Sequence, residues 1–515
     1  MIFRSSYPEV TIPAAPLTDI VLEGAAARGD QPALIEWPSR RVITYAQLAA
    51  GVHALAAGLL ARGFRQGEVF AIYCPNVPEY PLAYHGVLAA GGTVTTVNPL
   101  YTVEELTHQL RDSGASYLLT IPQCLDKALA AAQLSGIKEL FVLGEGKGAT
   151  PFAALLTAGG ASPKPDIHPG DVAALPYSSG TTGLCKGVML SHRNLVAALR
   201  QMEAGEAIEA GEVIIGVLPF FHIFGQHVIM NMGLHYGATI VTVARFELES
   251  FLQALQEYGV TRAYLVPPIV LALAKHPIVA KYDLSKLRRI LVGAAPLGAE
   301  LTREVSARLG CIVRQGYGMT ETSPPITMSP AEPERIKAGA VGVVVANTEC
   351  KILDPATGAE LGTDERGEIC MRGPQVMKGY RNRPEATAAM IDAEGWLHTG
   401  DVGYFDTDGQ LFIVDRVKEL IKYKGLQVAP AELEAVLLMH PAVADAAVIG
   451  VPDDEAGEAP KAFVVLKGQA TPEEIMSFVA SRVAPYKKVR RVEIIEQIPK
   501  SPSGKILRRV LKERG

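Results

Sequence analysis

Apolar and polar residues alternate along the first part of the chain in two rhythms. Short apolar runs such as Ala33-Leu-Ile-Glu and Val69-Phe-Ala-Ile-Tyr are typical of buried strands. Longer runs that repeat apolar residues every three or four positions predict amphipathic helices. The pattern predicts a hairpin of 33–36 with 41–44, strands over 69–73, 93–97, 117–121 and 262–266, and helices over 45–62, 78–90, 104–112 and 247–258. Strands that alternate with helices predict an α/β fold with parallel strands.

The pattern changes near Asp354, where short apolar runs are separated by glycine turns. Runs at 367–373 and 410–415 predict antiparallel strands. A charged segment follows Arg416, and then helices over 432–440 and 473–483 with strands over 444–451 and 461–466 predict a compact α+β unit. We therefore expect a large N-terminal α/β domain with a small β subdomain over 1–417, and a C-terminal α+β domain over 418–515.

Composition narrows the class of protein. With 515 residues, 48% of them hydrophobic, the chain is long enough for more than one core. A net charge of -5 gives no basic excess, so we expect neither a nucleic-acid partner nor a polybasic membrane patch. No apolar run is long enough to predict an integral membrane segment, and the N-terminus lacks the apolar region of a signal peptide. The six cysteines have no metal-binding or disulfide spacing, so a cytoplasmic location is expected.

One stretch, from Tyr177 to Gly187, is rich in glycine and hydroxyl residues and contains one lysine. Backbone N–H groups, hydroxyls and an ammonium group together suit phosphate. It is not a Walker P-loop, because Cys185 and Gly187 flank the lysine. A flexible surface loop is the alternative. The candidate phosphate contacts are Ser178, Ser179, Gly180, Thr181, Thr182 and Lys186.

A second candidate site is Gln315-Gly-Tyr-Gly-Met-Thr-Glu, which ends an apolar strand. The ring of Tyr317 can stack on a base, the hydroxyl of Thr320 can reach a phosphate oxygen, and Glu321 can hold Mg²⁺. A tight turn with a Thr-Glu capping pair is the alternative.

Two further polar groups are candidate ligands, one at the end of a turn and one after a predicted strand. Asp401 ends Trp396-Leu-His-Thr-Gly-Asp, and one carboxylate can accept hydrogen bonds from two ribose hydroxyls. Arg416 follows Asp415 and can reach a ribose or a phosphate. A solvated acidic turn residue is the ordinary alternative for Asp401.

The stretch Tyr-Ser-Ser-Gly-Thr-Thr-Gly-x-x-Lys-Gly resembles the signature loop of the adenylate-forming acyl-CoA synthetases, a family that includes firefly luciferase and the adenylation domains of peptide synthetases. The likeness is strongest to the 4-coumarate–CoA ligases and covers nearly the whole chain. Cys185 stands where the family usually has proline. This difference should alter loop stiffness more than chemistry.

The resemblance implies a large domain and a small mobile C-terminal domain, with ATP, Mg²⁺ and CoA as cofactors. It implies that Glu321 binds the metal and that the nucleotide is held by Gln315, Gly316, Tyr317, Thr320, Asp401 and Arg416.

The resemblance also gives roles to basic residues that would otherwise be interpreted as exposed charges or a basic tail. Lys505 matches the lysine that binds the reacting carboxylate and the α-phosphate. Lys418 matches the hinge, and Lys422 and Gln427 match residues used after the small domain turns. Contacts near CoA are implied for Lys424, Gly425 and Arg245.

The chemistry explains why two arrangements are required. A carboxylate first attacks the α-phosphorus of ATP, so cationic groups including Lys186 and Lys505 must offset charge as pyrophosphate leaves. CoA then attacks the acyl-adenylate and AMP leaves. One fixed arrangement cannot serve both steps well, and the resemblance implies that a domain rotation exchanges Lys505 for Lys422.

Alignment with the family predicts an acid pocket lined by small and apolar residues. Where hydroxycinnamate ligases place tyrosine, serine and lysine near the phenol hydroxyl, this chain has Phe224, Val228 and Leu291. An apolar acid is therefore expected, either cinnamate-like, benzoate-like or a medium- or long-chain fatty acid, unless His227 and Tyr264 reach the hydroxyl. His222 is expected to shape the entrance rather than act as a base. The remaining predicted lining residues are Ile223, Gly293, Ala294, Gly316, Gly318, Pro324, Pro325 and Ile326.

The sequence thus predicts ATP-dependent ligation of a carboxylic acid to CoA, the acid being a (hydroxy)cinnamate-like aryl acid or a medium- or long-chain fatty acid. A first rival passes the acyl-adenylate to a carrier protein or another acceptor. A second rival, a nucleotide-binding module without catalysis, requires the loss of a key group, but Lys186, Glu321, Asp401, Arg416 and Lys505 are all present.

Overall fold

The computed structural model describes residues 1–157, 165–178, 185–206, 208–209, 211–424, 426–453, 455–501 and 504–514, with only the backbone of residue 427. Within these ranges the strands form four sheets, two of them large and mostly parallel. This arrangement confirms the predicted α/β class.

Most strands of the first large sheet come from the N-terminal half of the chain. Its central strands are parallel, and antiparallel pairing begins where Lys186–Ser191 joins Val172–Ala174. Short strand Gly379–Tyr380 also pairs with Lys186–Ser191. In order across the sheet, the strands are Tyr177–Ser178, Lys186–Ser191, Val172–Ala174, Thr93–Thr96, Val69–Tyr73, Ala115–Thr120, Glu139–Val142 and Thr150–Pro151.

The second large sheet contains the predicted hairpin as an edge. Strand Pro32–Trp37 pairs in parallel with Thr239–Val243, far away in sequence, and antiparallel with Val42–Thr44. In order, its strands are Val343–Val344, Pro325–Met328, Ile312–Gly318, Arg289–Val292, Arg262–Leu265, Val213–Gly216, Thr239–Val243, Pro32–Trp37 and Val42–Thr44.

Two smaller sheets complete the architecture. The antiparallel β subdomain has strands Ile2–Arg4, Glu349–Leu353, Gly367–Arg372, Leu397–Phe405 and Leu411–Arg416, with Glu360–Leu361 on Glu349–Leu353. The C-terminal sheet has strands Leu426–Val428, Ile421–Tyr423, Gly457–Leu466 and Val443–Asp453, with Arg491–Ile494 parallel to Gly457–Leu466. The C-terminal sheet has a hydrophobic cluster of its own, distinct from the large N-terminal core.

Helices cover both large sheets, and several begin with a reciprocal side-chain cap. Thr44 with Gln47, Thr102 with Glu105, and Thr471 with Glu474 each form a capping box. The α-helices are Leu17–Val21, Ala25–Arg28, Tyr45–Ala61, Glu79–Ala89, Val103–Ser113, Leu125–Ser135, Ala153–Leu156, His192–Glu203, Met232–Tyr236, Leu248–Glu257, Pro267–Lys275, Ala299–Leu309, Pro384–Ala388, Pro430–Leu438, Pro472–Ala480 and Arg508–Lys512.

Shorter 3₁₀ segments span Pro122–Cys124, Pro277–Lys281, Thr320–Thr322, Pro333–Arg335 and Pro485–Lys487, and a π-helix spans Phe224–Asn231. Within the described ranges, the helices are too short or too polar to traverse a lipid bilayer.

Candidate active site

A cavity opens where parallel strands of the second large sheet end. Strands Arg289–Val292 and Ile312–Gly318 bring Gly293, Ala294 and Gly316 to its wall. Crevices at the carboxyl ends of parallel strands are the usual ligand sites of open α/β sheets. The lining is Met202, His222, Ile223, Phe224, Val228, Leu291, Val292, Gly293, Ala294, Gly316, Tyr317, Gly318, Met319, Thr320, Pro324, Pro325, Thr327, Met328 and Lys505.

Gly318 permits the tight turn that forms one side of this cavity. A Cβ atom added there would lie 1.7 Å from the carbonyl oxygen of Pro324, so the backbone strands could not approach as they do. This close approach accounts for the glycine before Met319 and keeps the wall free of side chains at that point.

Asp401 lies between Arg416 and Tyr317, and Tyr317 lines the cavity. Tyr317 donates a 2.6 Å hydrogen bond to Oδ2 of Asp401, and Arg416 Nε donates to Oδ1 at 3.1 Å. Asp401 and Arg416 are also register partners on neighbouring antiparallel strands. Burial raises the pKa of Asp401, and the Arg416 guanidinium opposes that rise. The structure thus gathers three of the predicted nucleotide residues.

Glu321 is buried and held by two hydroxyls. Ser178 Oγ and Tyr380 OH each donate to its Oε1 at 2.8 Å. The ammonium of Lys186 lies 4.6 Å from the centroid of the Tyr380 ring. Tyr380 therefore connects the carboxylate with the lysine of the glycine-rich stretch, although the sequence analysis did not identify it.

Lys505 enters the cavity from the C-terminal unit. Burial lowers the pKa of its ammonium group below the usual lysine value, and the Arg416 guanidinium lowers it further. The carboxylates of Asp401 and Glu321 act in the opposite direction. Lys505 is thus a positive charge within the electrostatic reach of both predicted nucleotide carboxylates.

His222 lines the cavity as a neutral imidazole. Burial, and next the charge of Lys505, lower its pKa to about 3. Its Nδ1 accepts a hydrogen bond from the backbone N–H of Phe224 at 3.3 Å, so the proton is carried on Nε2. A neutral ring with Nε2–H can donate to an anion but cannot act as a base through that atom.

The apolar part of the cavity contains Phe224, Val228 and Leu291, as the alignment predicted. Met202 and Met328 also line it and were missed, because isolated methionines carry no motif and are usually core residues. A Cβ added to Gly293 would meet the Phe224 ring at 2.8 Å, so the ring packs directly on this glycine.

Four residues predicted for the site, Tyr264, His227, Ile326 and Gln315, are not part of the cavity lining. Tyr264 is buried behind Phe224, and its hydroxyl donates to Glu206 at 3.3 Å. His227 is fully buried with Nδ1 against Asn231 at 3.1 Å. Ile326 belongs to the hydrophobic cluster of the β subdomain. The placement of these three residues in the pocket was therefore wrong.

The fourth of these residues is Gln315, whose side-chain amide is hydrogen-bonded to the backbone. Its Nε2 donates to the carbonyl of Leu297 at 3.1 Å, and its Oε1 accepts from the Leu297 N–H at 2.8 Å. An amide that is paired at both ends is a structural link between two backbone segments, so the predicted nucleotide contact of this side chain is not supported.

The predicted CoA and hinge residues lie outside the cavity. Lys418 is exposed in the turn over 417–419, and Lys422 and Lys424 are exposed on the hairpin Ile421–Tyr423 to Leu426–Val428. Arg245 is exposed just after strand Thr239–Val243. Gln427 lies in strand Leu426–Val428. Ser179, Gly180, Thr181, Thr182 and Gly425 lie outside the described residues.

Known proteins resemble this chain over nearly its whole length. The family "AMP-binding enzyme" matches residues 22–381, and "AMP-binding enzyme C-terminal domain" matches 432–505. A 4-coumarate–CoA ligase 2 of Nicotiana tabacum is 45% identical, covering 99% of this chain and 97% of that protein. ATP-bound MatB from Rhodopseudomonas palustris superposes with a TM-score of 0.89 at 30% identity, over 98% and 99% of the two chains. Anthranilate CoA ligase AuaEII in complex with anthranoyl-AMP gives 0.90 at 25%, over 98% of each.

Proposed function

The chain belongs to the AMP-binding enzyme family, and on that premise we propose how its cavity performs the reaction of an ATP-dependent acid–CoA ligase. In the first step, a carboxylate oxygen attacks the α-phosphorus of ATP, forming acyl-AMP and releasing pyrophosphate. In the second step, the CoA sulfur attacks the acyl carbonyl, forming acyl-CoA and releasing AMP.

The observation that carries this proposal is the position of Lys505. Its side chain lines the same cavity as Tyr317, which holds Asp401, and as the apolar wall of Phe224 and Leu291. An acid whose apolar part lies against that wall would place its carboxylate between the wall and the nucleotide residues. Lys505 is the cation that would orient it there.

In the first step, charge is the main obstacle, because an anion approaches a polyanion. Lys505 would pair with the carboxylate and the α-phosphate, and Lys186 would contact the departing phosphates. Asp401 would accept from the ribose hydroxyls, with Tyr317 and Arg416 fixing its two oxygens. His222 would donate from Nε2 to the same anionic centre.

Glu321 is suited to hold Mg²⁺. Among the described residues, both hydrogen bonds to this carboxylate fall on Oε1, which leaves Oε2 for a cation. A buried carboxylate with an available oxygen is a hard-cation ligand. Bound Mg²⁺ would neutralise the charge of the phosphates.

The second step requires a different cation near AMP. We propose that the domains are 1–417 and 418–515 and that the small domain turns about Lys418, which lies in an exposed turn between strands Leu411–Arg416 and Ile421–Tyr423. This motion would break the 2.8 Å hydrogen bond from the Ala431 N–H to Asp415 Oδ2 and withdraw Lys505. The exposed hairpin with Lys422 and Lys424 would then face the AMP and CoA.

The acid is proposed to be a planar aryl acid without a polar ring substituent. The lining combines the glycines Gly316 and Gly318, which carry no side chain, with the apolar side chains of Phe224 and Leu291. An apolar lining of this kind suits an unsubstituted ring, whereas a phenol hydroxyl buried without a partner costs about 1–3 kcal/mol. Tyr264 cannot serve as that partner, since its hydroxyl is turned to Glu206.

The test is acid-dependent AMP formation from ATP and Mg²⁺, with and without CoA, across cinnamate, 4-coumarate, benzoate, octanoate and palmitate. We expect CoA-dependent turnover that is fastest with cinnamate or benzoate. Faster turnover of palmitate or octanoate would overturn the aryl-acid assignment. Acyl-adenylate that accumulates and does not respond to CoA would instead favour transfer to a carrier protein.

A further inference from the structure

A second cluster of reactive side chains lies in the β subdomain, on the strands next to Asp401. Glu368 and Cys370 are two residues apart on strand Gly367–Arg372, so both side chains point to the same face. Cys370 is the register partner of His398 on strand Leu397–Phe405. The mechanism above uses none of the three.

The three side chains converge on one point. Cys370 Sγ lies 3.4 Å and Glu368 Oε2 lies 3.2 Å from Nδ1 of His398, and all three ligand atoms are within 4.8 Å of one another. With metal–ligand bonds of about 2.0–2.3 Å, the ligand atoms of a tetrahedral zinc ion are separated by roughly 3.3–3.6 Å. Two edges of such a tetrahedron are therefore close to the required length, and the third, from Cys370 Sγ to Glu368 Oε2, is at most 4.8 Å long.

From this geometry we propose that Glu368, Cys370 and His398 bind one Zn²⁺ ion, with water as the fourth ligand. The thiol would lose its proton to the solvent when the sulfur–zinc bond forms. A thiolate, a carboxylate and a neutral imidazole then balance the charge of the ion, and this mixed donor set suits zinc better than Mg²⁺ or Ca²⁺.

Neighbouring groups orient these ligands as zinc sites require. Nε2 of His398 faces Oδ2 of Asp392 at 3.5 Å, which favours a proton on Nε2 and leaves Nδ1 for the metal. The other Asp392 oxygen is fixed by the N–H groups of Glu394 and Trp396 at 2.9 Å. Glu368 Oε1 accepts from the Gly400 N–H at 3.1 Å, which holds Oε2 toward the histidine.

Access and local charge are compatible with an ion. Cys370 is fully buried, but the His398 and Glu368 side chains are 30% and 20% exposed, which provides a route from solvent. Lys351 lies opposite Cys370 on the next strand, but its charge has other partners. Its ammonium group is directed to the Trp396 ring at 4.6 Å and to Glu360 at 3.8 Å.

The position suggests a supporting role for the nucleotide carboxylate. The strand register shifts between Glu368 and Cys370, and the residues that bulge out on the partner strand include Gly400 and Asp401. Bulges often aim a side chain into an active site. An ion bound by Glu368, Cys370 and His398 would link the two strands at the bulge that contains Asp401.

Cobalt provides the test, because a thiolate bound to Co²⁺ gives a charge-transfer absorption band. Untagged protein, stripped with a chelator, should bind one Co²⁺ per chain with this band, and Zn²⁺ should remove it. Cys370→Ser should abolish the band, whereas the control Cys350→Ser, a buried cysteine of the neighbouring strand, should keep it. No band in the wild-type protein, or a band that survives in Cys370→Ser, would overturn the proposal.

A second variant avoids dependence on the folding of Cys370→Ser. Asp392→Asn leaves the three ligands in place and should weaken Zn²⁺ binding roughly 10- to 100-fold, as loss of an orienting carboxylate does elsewhere. Unchanged zinc affinity in Asp392→Asn would contradict the proposed site. These measurements report metal binding and not ligation, so they hold whether or not the proposed function is right.

Discussion

The hydroxyl of Tyr317 donates a 2.6 Å hydrogen bond to Asp401, a residue 84 positions further along the chain. The contact joins strand Ile312–Gly318 of the second large sheet to the antiparallel β subdomain, so the two parts of the nucleotide site are held at a fixed distance. Its strength is raised by burial and by the charge on the acceptor.

Tyr317→Phe removes this hydrogen bond but keeps the aromatic ring. A buried carboxylate that loses one donor is destabilised by about 1–3 kcal/mol, so we expect the KM for ATP to rise by roughly 5- to 150-fold. The KM for the acid, measured at saturating ATP, should change much less. An unchanged KM for ATP in a variant of normal thermal stability would argue against Asp401 as a ribose ligand.

Tyr380 provides a pair of matched variants. Tyr380→Phe loses the hydroxyl on Glu321 but keeps the ring beside Lys186, whereas Tyr380→Leu loses both. Since a cation–π contact contributes about 0.5–2 kcal/mol, Tyr380→Leu should raise the KM for ATP roughly 2- to 30-fold above that of Tyr380→Phe. Equal values in steady-state kinetics would show that the ring does not position Lys186.

Leu291→Lys and Phe224→Tyr each place a polar group in the apolar part of the cavity. If a ring hydroxyl reaches this wall, either change should raise the ratio of kcat/KM for 4-coumarate to that for cinnamate by roughly 5- to 150-fold. Cinnamate is the internal control, because it reports any general loss caused by the substitution. A ratio that stays constant in both variants would place the ring elsewhere.

The pH dependence of the first step should reflect Lys505. Because its pKa is lowered, this lysine loses its proton at a lower pH than an ordinary lysine does, and adenylation should fall as the pH rises through that value. Exchange of labelled pyrophosphate into ATP measures this step without CoA. Lys505→Arg, which stays charged, should move the alkaline decline upward even if its rate is low. An alkaline decline at the same pH in both proteins would assign it to another group.

Much of the fold could be predicted, because strands and helices leave periodic patterns in sequence. The helix predicted over 45–62 is Tyr45–Ala61, and the strand predicted over 69–73 is Val69–Tyr73. The periodicity does not show which distant strands pair with each other. The N-terminal hairpin joins Thr239–Val243 rather than Val69–Tyr73, since pairing depends on packing across the whole domain.

The site also contains residues that local motifs indicate and residues that only the fold brings together. Tyr317 and Asp401 lie in short contiguous motifs, so sequence alone suggested them. Tyr264 was wrongly assigned to the pocket because its partner, Glu206, belongs to a buried ion-pair network with Arg262 and Arg314 that no local pattern reveals. Tyr380 was missed because its contact with Glu321 spans 59 residues.

The most direct test of the two-step account uses Lys505→Ala in separate half-reactions. Acyl-AMP formation from acid and ATP should be nearly abolished, because the cation between the acid and the α-phosphate is lost. Conversion of supplied acyl-AMP and CoA to acyl-CoA should stay close to the wild-type rate, since Lys505 has left the cavity in that step. Equal losses in both half-reactions would contradict the proposed exchange of lysines.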